Sequence, residues 1–445
     1  MLTPAARIAP LLKDLVGAEL PVRFRCWDGS ELGSADAAAV IVLRRRRALR
    51  TLVWQPDELG LARAYVSGDL DIEGDIYAAL DVPELLAKVT SNEGLRLSWR
   101  QKVQGLRTAV RLGAVGPRPP LPPEEVPSRR GLRRASKHSL SRDSESVQHH
   151  YNVSNEFYRL VLGPSLVYSC AYWLQEPAAA YGLEQAQRDK LELICRKLGL
   201  RPGMRLLDVG CGWGGLALHA ANNHGVEVVG VTLSGEQAAL ANRRVEQEGL
   251  GDRVKVRVQD YREVRDGPYD AIASVGMSEH VGAKQLPAYC QALFSLLRPG
   301  GRLLNHAIAS PPSGDEGHVE PRSSFIDRYV FPDGELLPLG MMVDGFERAG
   351  FEVRDTQNLR EHYAYTLRAW VSNLEQAWAA AADHTSEGRA RVWKLYLVGS
   401  ALGFERGEIS VHQVLAVRPG LAGLSGMPLT RNGWDLTATE ATKPG

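Results

Sequence analysis

Long hydrophobic runs are missing from this chain. No apolar stretch approaches the ~20 residues that span a bilayer as a helix, and Met1 to Gly17 lacks the apolar core of a secretory leader, so a cytoplasmic protein is expected. Cysteine is scarce. Cys26, Cys170, Cys195, Cys211 and Cys290 form no CxxC pair and no even-numbered set, which argues for reduced thiols and against disulfides or zinc, and no metal is expected. Net charge is almost absent, at +1 over 445 residues. There is no internal repeat. No nucleic-acid-binding motif accompanies the basic residues, so nucleic acid is not an expected partner.

What charge there is falls unevenly. From Leu95 to Arg142 the only acids are Glu124 and Glu125, set against Arg96, Arg100, Lys102, Arg107, Arg111, Arg118, Arg129, Arg130, Arg133, Arg134, Lys137 and Arg142. Within this run Gly116–Pro123 cannot be helical, and Ser136 to Ser146 continues it as a polar segment. Residues 116–147 therefore read as a basic, Pro/Ser-rich linker between two domains, the number that 445 residues suggest. Before it, Leu95, Leu97, Trp99, Val103, Leu106 and Val110 predict a helix with an apolar stripe and a cationic face. Such a helix suits peripheral attachment to the inner, anionic face of a membrane, although a packed helix beside a solvated linker explains the same residues. Residues 1–115 read as a smaller α+β domain, with strands at Val22–Trp27 and Ala39–Leu43 around Asp28-Gly29-Ser30, and helical segments from Asp57 to Leu80 broken at Gly68 and Gly74. Lipid contact, homodimerisation and a purely structural role are all open to it.

The most informative segment is Leu206-Leu207-Asp208-Val209-Gly210-Cys211-Gly212-Trp213-Gly214-Gly215, a short apolar strand, a glycine turn and the start of a helix. Further strands follow at Val226–Thr232, Val254–Val258, Tyr269–Val275 and Gly301–Ile308, with helices between them, and Ser234 with Gln237 forms a capping box. This alternation implies an α/β fold with a mostly parallel sheet, whose ligands sit beyond the carboxyl ends of the strands. The turn is not a GxGxxG fingerprint. Its Asp-x-Gly-x-Gly resembles the S-adenosylmethionine site of class I methyltransferases, a Rossmann-type fold.

Flanking motifs narrow the resemblance. Gln148–Tyr158 (QHHYNVSNEFY), Tyr168–Trp173 (YSCAYW), Gly230–Gln237, Glu279–Gly282 (EHVG), Phe325–Pro332 and His362–Leu367, taken with the glycine turn, closely resemble the cyclopropane-fatty-acyl-phospholipid synthase family from about Gln148 to Arg418. A catalytic domain over 148–420 and a flexible tail over 421–445 are expected. The resemblance implies cofactor contacts from Tyr168, Ser169, Asp208, Gly210, Gly212, Thr232, Leu233 and Gln237, with Gln259, Asp260 and Tyr261 near the adenine. It also implies a bound bicarbonate ion acting as base, held by Cys170, Glu279, His306, the backbone of Ile308, and Tyr363.

The implied reaction is methyl transfer from S-adenosylmethionine to the cis double bond of an unsaturated phospholipid acyl chain, forming a cyclopropane. An isolated alkene has no proton to remove beforehand, so the site must align it, stay dry and then stabilise a carbocation. Aromatic faces suit that cation, and Tyr168, Tyr172, Trp173 and Tyr363 are candidates. Ser278, where relatives carry a bulky Phe, and the Pro311–Pro321 stretch, where a lid over the acyl chain is expected, depart from the pattern. Loss of the proton in another direction gives a methylene-branched chain, an alternative product. A catalytically idle lipid-binding protein would instead show damage to these motifs, and they are intact.

Overall fold

The computed structural model describes residues 2–16, 22–81, 99–126, 154–312, 324–331, 334–431 and 434. The chain divides into two compact units, one made of Met1–Arg129, Arg322–Val330 and Thr385–Leu402, the other of Arg130–Pro321, Phe331–His384 and Gly403–Gly445.

In the first unit β1 (Val22–Arg25), β2 (Glu31–Leu32), β3 (Ala39–Leu43) and β4 (Leu70–Gly74) form a sheet in the order β2-β1-β3-β4. The turn before β2 is fastened by the Ser30 N–H and hydroxyl, which both donate to Asp28 Oδ1. Helix Glu58–Val66 starts where the Asp57 carboxylate accepts from the Gly60 N–H. The helical reading of Asp57 to Leu80 fails at β4. Gly68, at φ +68°, ends the chain's helical course, and Leu70 and Ile72 then alternate with Asp71 and Glu73 at the period of a strand, pairing Leu70 with Leu43 and Ile72 with Ile41.

The spacer expected from Gly116 is extended but docked. Trp54 Nε1 donates to the Gly116 carbonyl, and buried Glu125 accepts two hydrogen bonds from Arg63, at 2.7 and 2.6 Å, and one from the Tyr329 hydroxyl at 3.0 Å. The two acids of the basic run thus anchor it, since Glu124 also accepts from Ser386. Removing one partner of a buried pair such as Arg63–Glu125 costs roughly 3–5 kcal/mol. The rest of the linker, with Arg129, Arg130, Arg133 and Arg134, lies outside the described residues.

Helix Trp99–Arg111 forms as expected and turns part of its apolar stripe outward, with Trp99 77%, Leu106 54% and Val110 58% exposed beside Arg107 and Arg111. Leu95 and Leu97 lie outside the described residues. Among those described, no helix is long and apolar enough to cross a membrane.

The second unit is built on β5 (Arg205–Val209), β6 (Glu227–Thr232), β7 (Val254–Val258), β8 (Tyr269–Val275), β9 (Leu297–Ser310), β10 (Leu337–Pro338), β11 (Glu352–Asn358) and β12 (Ser410–Val417). Its order is β11-β12-β9-β8-β5-β6-β7, with β10 beside β9. Strands β5 to β9 run parallel, and β12 is antiparallel to both β9 and β11. This is the class I methyltransferase fold. Because β5 pairs with β6 on one side and β8 on the other, the chain switches direction across the sheet at β5, and the carboxyl ends of these strands frame a crevice. Apolar residues cover both faces of the sheet, with Leu206, Val228 and Ala271 on one and Leu207, Val209 and Ile272 on the other. From the segment after β12, Trp434 is buried in the first of these layers and Met427 packs against it.

Candidate active site

The turn after β5 is held open by three left-handed glycines, Gly210, Gly212 and Gly214, at φ +75°, +53° and +81°. The Gly210 and Cys211 amides both donate to the Val231 carbonyl on β6, so the turn lies across the end of the neighbouring strand. A Cβ on Gly210 would meet Met277 at 3.0 Å, whereas one on Gly212 would meet nothing within 4 Å. Gly212 therefore presents bare backbone to open space, which fits close approach of a ligand.

Directly below, Asp208 is buried, and its Oδ2 has no hydrogen-bond partner. Burial pushes its carboxyl up to about 7, against the opposing pull of Lys190. Lys190, fully buried on helix Leu183–Leu198, donates to the Ser169 hydroxyl at 2.9 Å, and burial lowers its ammonium to about 8. Its charge acts on Cys170, Asp208 and His306 alike. Gln187, one turn earlier, donates to the Ser169 carbonyl at 3.0 Å, so this helix positions the Tyr168–Cys170 segment. An unpaired acid beside a bare glycine turn suits a ligand with cationic and amino groups, and these residues fit S-adenosylmethionine.

At the end of β6 the Thr232 hydroxyl donates to Gln237 Oε1 at 2.8 Å and accepts from the Ser234 N–H, and the Ser234 side chain caps the next helix at the Gln237 N–H. The Gln259 N–H donates to the Thr232 carbonyl, which brings the β7 end alongside, and Leu233, next in sequence to Thr232, is half-buried. Here two side chains already have partners: Asp260 is paired with Arg262 and caps its own turn, and Gln259 Nε2 donates to the Glu263 carbonyl. Tyr261 packs edge-on against Tyr289 at 5.5 Å.

The second group collects around β9. Glu279, on a 3-10 turn after β8, accepts from the Ile308 N–H at 2.9 Å. That amide therefore holds Glu279 beside the end of β9. Ile308 faces Val411 on β12, the Val411 carbonyl accepts from the Leu359 N–H, and the Leu359 carbonyl lies 3.7 Å from the Cys170 thiol. Tyr363 stands one turn into helix Arg360–Gln376, with its N–H on the same Leu359 carbonyl. Four of the expected residues are thus tied to one backbone path. His306 is buried, with Nε2 unpartnered and Nδ1 3.3 Å from Gln413 Nε2, and burial first, then the charges of Lys190 and Lys197, keep its imidazole neutral. Burial also pushes the Cys170 thiol far above its ordinary range, so it serves as a neutral donor.

An aromatic line joins the two groups: Trp213, Tyr158, Tyr168, Trp370, Tyr363 and Phe404 follow one another at ring separations of 4.8, 5.9, 5.5, 6.0 and 4.6 Å. Tyr168 and Tyr363 belong to it. Tyr172 instead stacks on His362, and Trp173 is core, its indole N–H on Thr366 and its ring against Tyr181. Ser278 is buried beside Asn305, in a narrow cleft that Leu337, Leu339 and Met342 also line. Most of the Pro311–Pro321 segment and all of Gln148–Val153 lie outside the described residues.

Residues 138–414 match the mycolic acid cyclopropane synthetase family. The chain belongs to that family. It is 43% identical to the "Probable fatty acid methyltransferase" of Mycobacterium tuberculosis over 92% of this chain and 94% of that one. It is 41% identical to the cyclopropane-fatty-acyl-phospholipid synthase of Escherichia coli over 60% of this chain and 66% of that one. Among solved structures, a mycolic acid cyclopropane synthase complexed with SAH and CTAB superimposes with a TM-score of 0.57 at 34% identity, covering 61% of this chain and 97% of that one. This member of the mycolic acid cyclopropane synthetase family is an S-adenosylmethionine-dependent methyltransferase.

Lys190, Gln413, Tyr158 and Trp370 escaped the sequence reading. A signal existed for Lys190: Gln187, Lys190 and Lys197 sit on the stripe of helix Leu183–Leu198 that Ala186, Ile194 and Leu198 mark as buried, and a charge on such a stripe needs a partner.

Proposed function

We propose that the enzyme methylates the cis double bond of an unsaturated phospholipid acyl chain and closes a cyclopropane ring, with bicarbonate as the base. The observation that carries this reading is the Glu279–Ile308–Val411–Leu359–Cys170 path, which gathers an acid, a thiol and Tyr363 beside neutral His306. In the bound state S-adenosylmethionine supplies the methyl group and bicarbonate takes up the proton. The protein's own work is to orient and to keep dry. Glu279 is fixed by the Ile308 amide, His306 Nε2 and the Cys170 thiol offer neutral donors, and Tyr168, Trp370 and Tyr363 offer π faces to a transient carbocation on the acyl chain. The alkene gains CH3+ and later loses H+ from that methyl, so the chain gains one CH2.

The substrate lies in a bilayer, and helix Trp99–Arg111 supplies a means of reaching it. Its exposed Trp99, Leu106 and Val110 suit the acyl boundary, and Arg107 and Arg111 suit anionic headgroups. Mass spectrometry of lipids from cells expressing the protein should show one added CH2 on unsaturated chains, and proton NMR should show cyclopropane rather than methylene signals. Glu279→Gln should retain S-adenosylmethionine affinity and slow turnover on the order of a hundredfold. Unchanged lipids, or a wild type indifferent to bicarbonate depletion, would count against the reading.

A further inference from the structure

The far end of helix Leu183–Leu198 carries a cluster that methyl transfer does not use. Glu192 and Cys195 stand one turn apart on it, and His219 and His224 come from helix Gly215–His224, which packs against it. Both imidazoles reach one carboxylate oxygen: His219 Nε2 and His224 Nε2 lie 3.2 and 3.0 Å from Glu192 Oε2. The other oxygen accepts from Arg196 Nε at 2.9 Å. The buried Cys195 thiol completes the group, its sulfur and a ring nitrogen of each histidine lying within 4.8 Å of one another.

We propose that Cys195, His219, His224 and Glu192 form a structural zinc site. Tetrahedral zinc takes nitrogen and oxygen at about 2.0–2.2 Å and sulfur at about 2.3 Å, so its N···O edges are roughly 3.3 Å and its N···S edges roughly 3.6 Å. The two imidazole–carboxylate distances already have that length. The thiol sulfur, within 4.8 Å of a nitrogen of each ring, has to close by at most about 1 Å to reach that edge. Hydrogen bonding alone accounts for the imidazoles and the carboxylate, and the Cys195 side chain also packs in the apolar core, but its sulfur lies at the edge of that core within reach of both rings. One thiolate, two imidazoles and one carboxylate form a borderline-soft set that favours zinc over magnesium or calcium.

The outer partners also fit. Arg196 orients the carboxylate, and the Asn223 amide nitrogen lies 3.1 Å from His219 Nδ1; a flip of that amide puts its oxygen there, where it accepts the Nδ1–H and leaves the Nε2 lone pair for metal. Binding exchanges the Cys195 S–H proton for the metal bond and releases that proton to solvent. The site fastens the helix bearing Gln187 and Lys190 to the helix that follows the glycine turn.

The test is titration of chelator-treated full-length protein with Co2+. The site should give a thiolate-to-cobalt charge-transfer band with strong tetrahedral d–d absorption, saturating at one equivalent and displaced by Zn2+. Cys195→Ser should abolish the charge-transfer band. If burial makes that variant unstable, His219→Gln, at a half-buried position, should weaken cobalt binding more than about a hundredfold, since even outer partners of a metal are worth about ten- to a hundredfold. The other four cysteines remain in both variants as internal controls. Absence of the band from the wild type, or a band of equal strength and affinity in His219→Gln, overturns the assignment.

Discussion

Gln413 faces His306 across the antiparallel β9–β12 pair, and its amide nitrogen lies 3.3 Å from His306 Nδ1. With that nitrogen donating, Nδ1 is the acceptor and the ring proton sits on Nε2, the nitrogen left without a partner. The pairing therefore sets which end of the imidazole can donate to an anion. Gln413→Glu reverses the polarity, taking Nδ1–H as its partner and leaving Nε2 without a proton. Turnover should fall on the order of ten- to a hundredfold while S-adenosylmethionine affinity holds, as single-turnover kinetics and calorimetry can determine. Equal turnover in the variant would remove the tautomer from the mechanism.

Cofactor affinity should depend on pH through Asp208. With its carboxyl raised to about 7 by burial, the group ionises as pH climbs through neutrality, and a ligand bearing amino and sulfonium charges gains from that ionisation. Affinity measured by calorimetry should rise with pH across that range and be flat in Asp208→Asn. The apo protein should behave oppositely. A raised carboxyl favours the folded state fully below its ordinary 3.8 and loses that contribution as pH rises through about 7, so denaturant midpoints of the wild type should decline over this window more than those of Asp208→Asn.

Gly212→Val separates binding from folding. The left-handed backbone at φ +53° penalises a branched residue by roughly 1–2 kcal/mol, but the new side chain meets no protein atom, so the fold should survive. S-adenosylmethionine binding should be lost. Circular dichroism together with calorimetry reads both, and a folded variant with wild-type affinity would take the turn out of the cofactor site.

Helix Trp99–Arg111 should matter only in the presence of lipid. Replacing Arg107 and Arg111 by Gln removes about 2 kcal/mol of attraction to an anionic surface, roughly a thirtyfold loss in vesicle partitioning at low salt. Cofactor affinity should not change. Sedimentation with anionic vesicles that is insensitive to both salt and substitution would leave the exposed stripe without a role.

The catalytic sheet was legible where its signal is local. Buried parallel strands such as Leu206–Val209 and Tyr269–Val275 announce themselves as short apolar runs, and the glycine turn is written in consecutive residues. β11 and β12 were not read, because Glu352–Asn358 carries mostly polar residues and takes its place only by pairing with β12. β4 failed for the same reason, its partner β3 lying 27 residues back at Leu43–Leu70. In the candidate site, residues inside compact motifs, from Cys170 to Glu279, could be named from the sequence, whereas Lys190 and Gln413 depend on contacts across 21 and 107 positions. The zinc ligands show the limit of spacing rules. No CxxC exists, yet two packed helices bring four donors together.

The first unit is built from stretches far apart in the sequence. Asp71 finds Arg391 after 320 further residues, and Glu125 finds Tyr329 after 204. During synthesis on the ribosome, the part of the protein that emerges first is thus among the last to be finished. Until Arg391 clears the exit tunnel, Asp71 has Arg44 but not its second arginine, and a nascent chain stalled before residue 329 leaves Glu125 with Arg63 alone among these partners. Cutting the gene after the linker would release a fragment with the same deficit, so the N-terminal portion is not a detachable module, and its maturation waits on translation of the catalytic sequence that follows it.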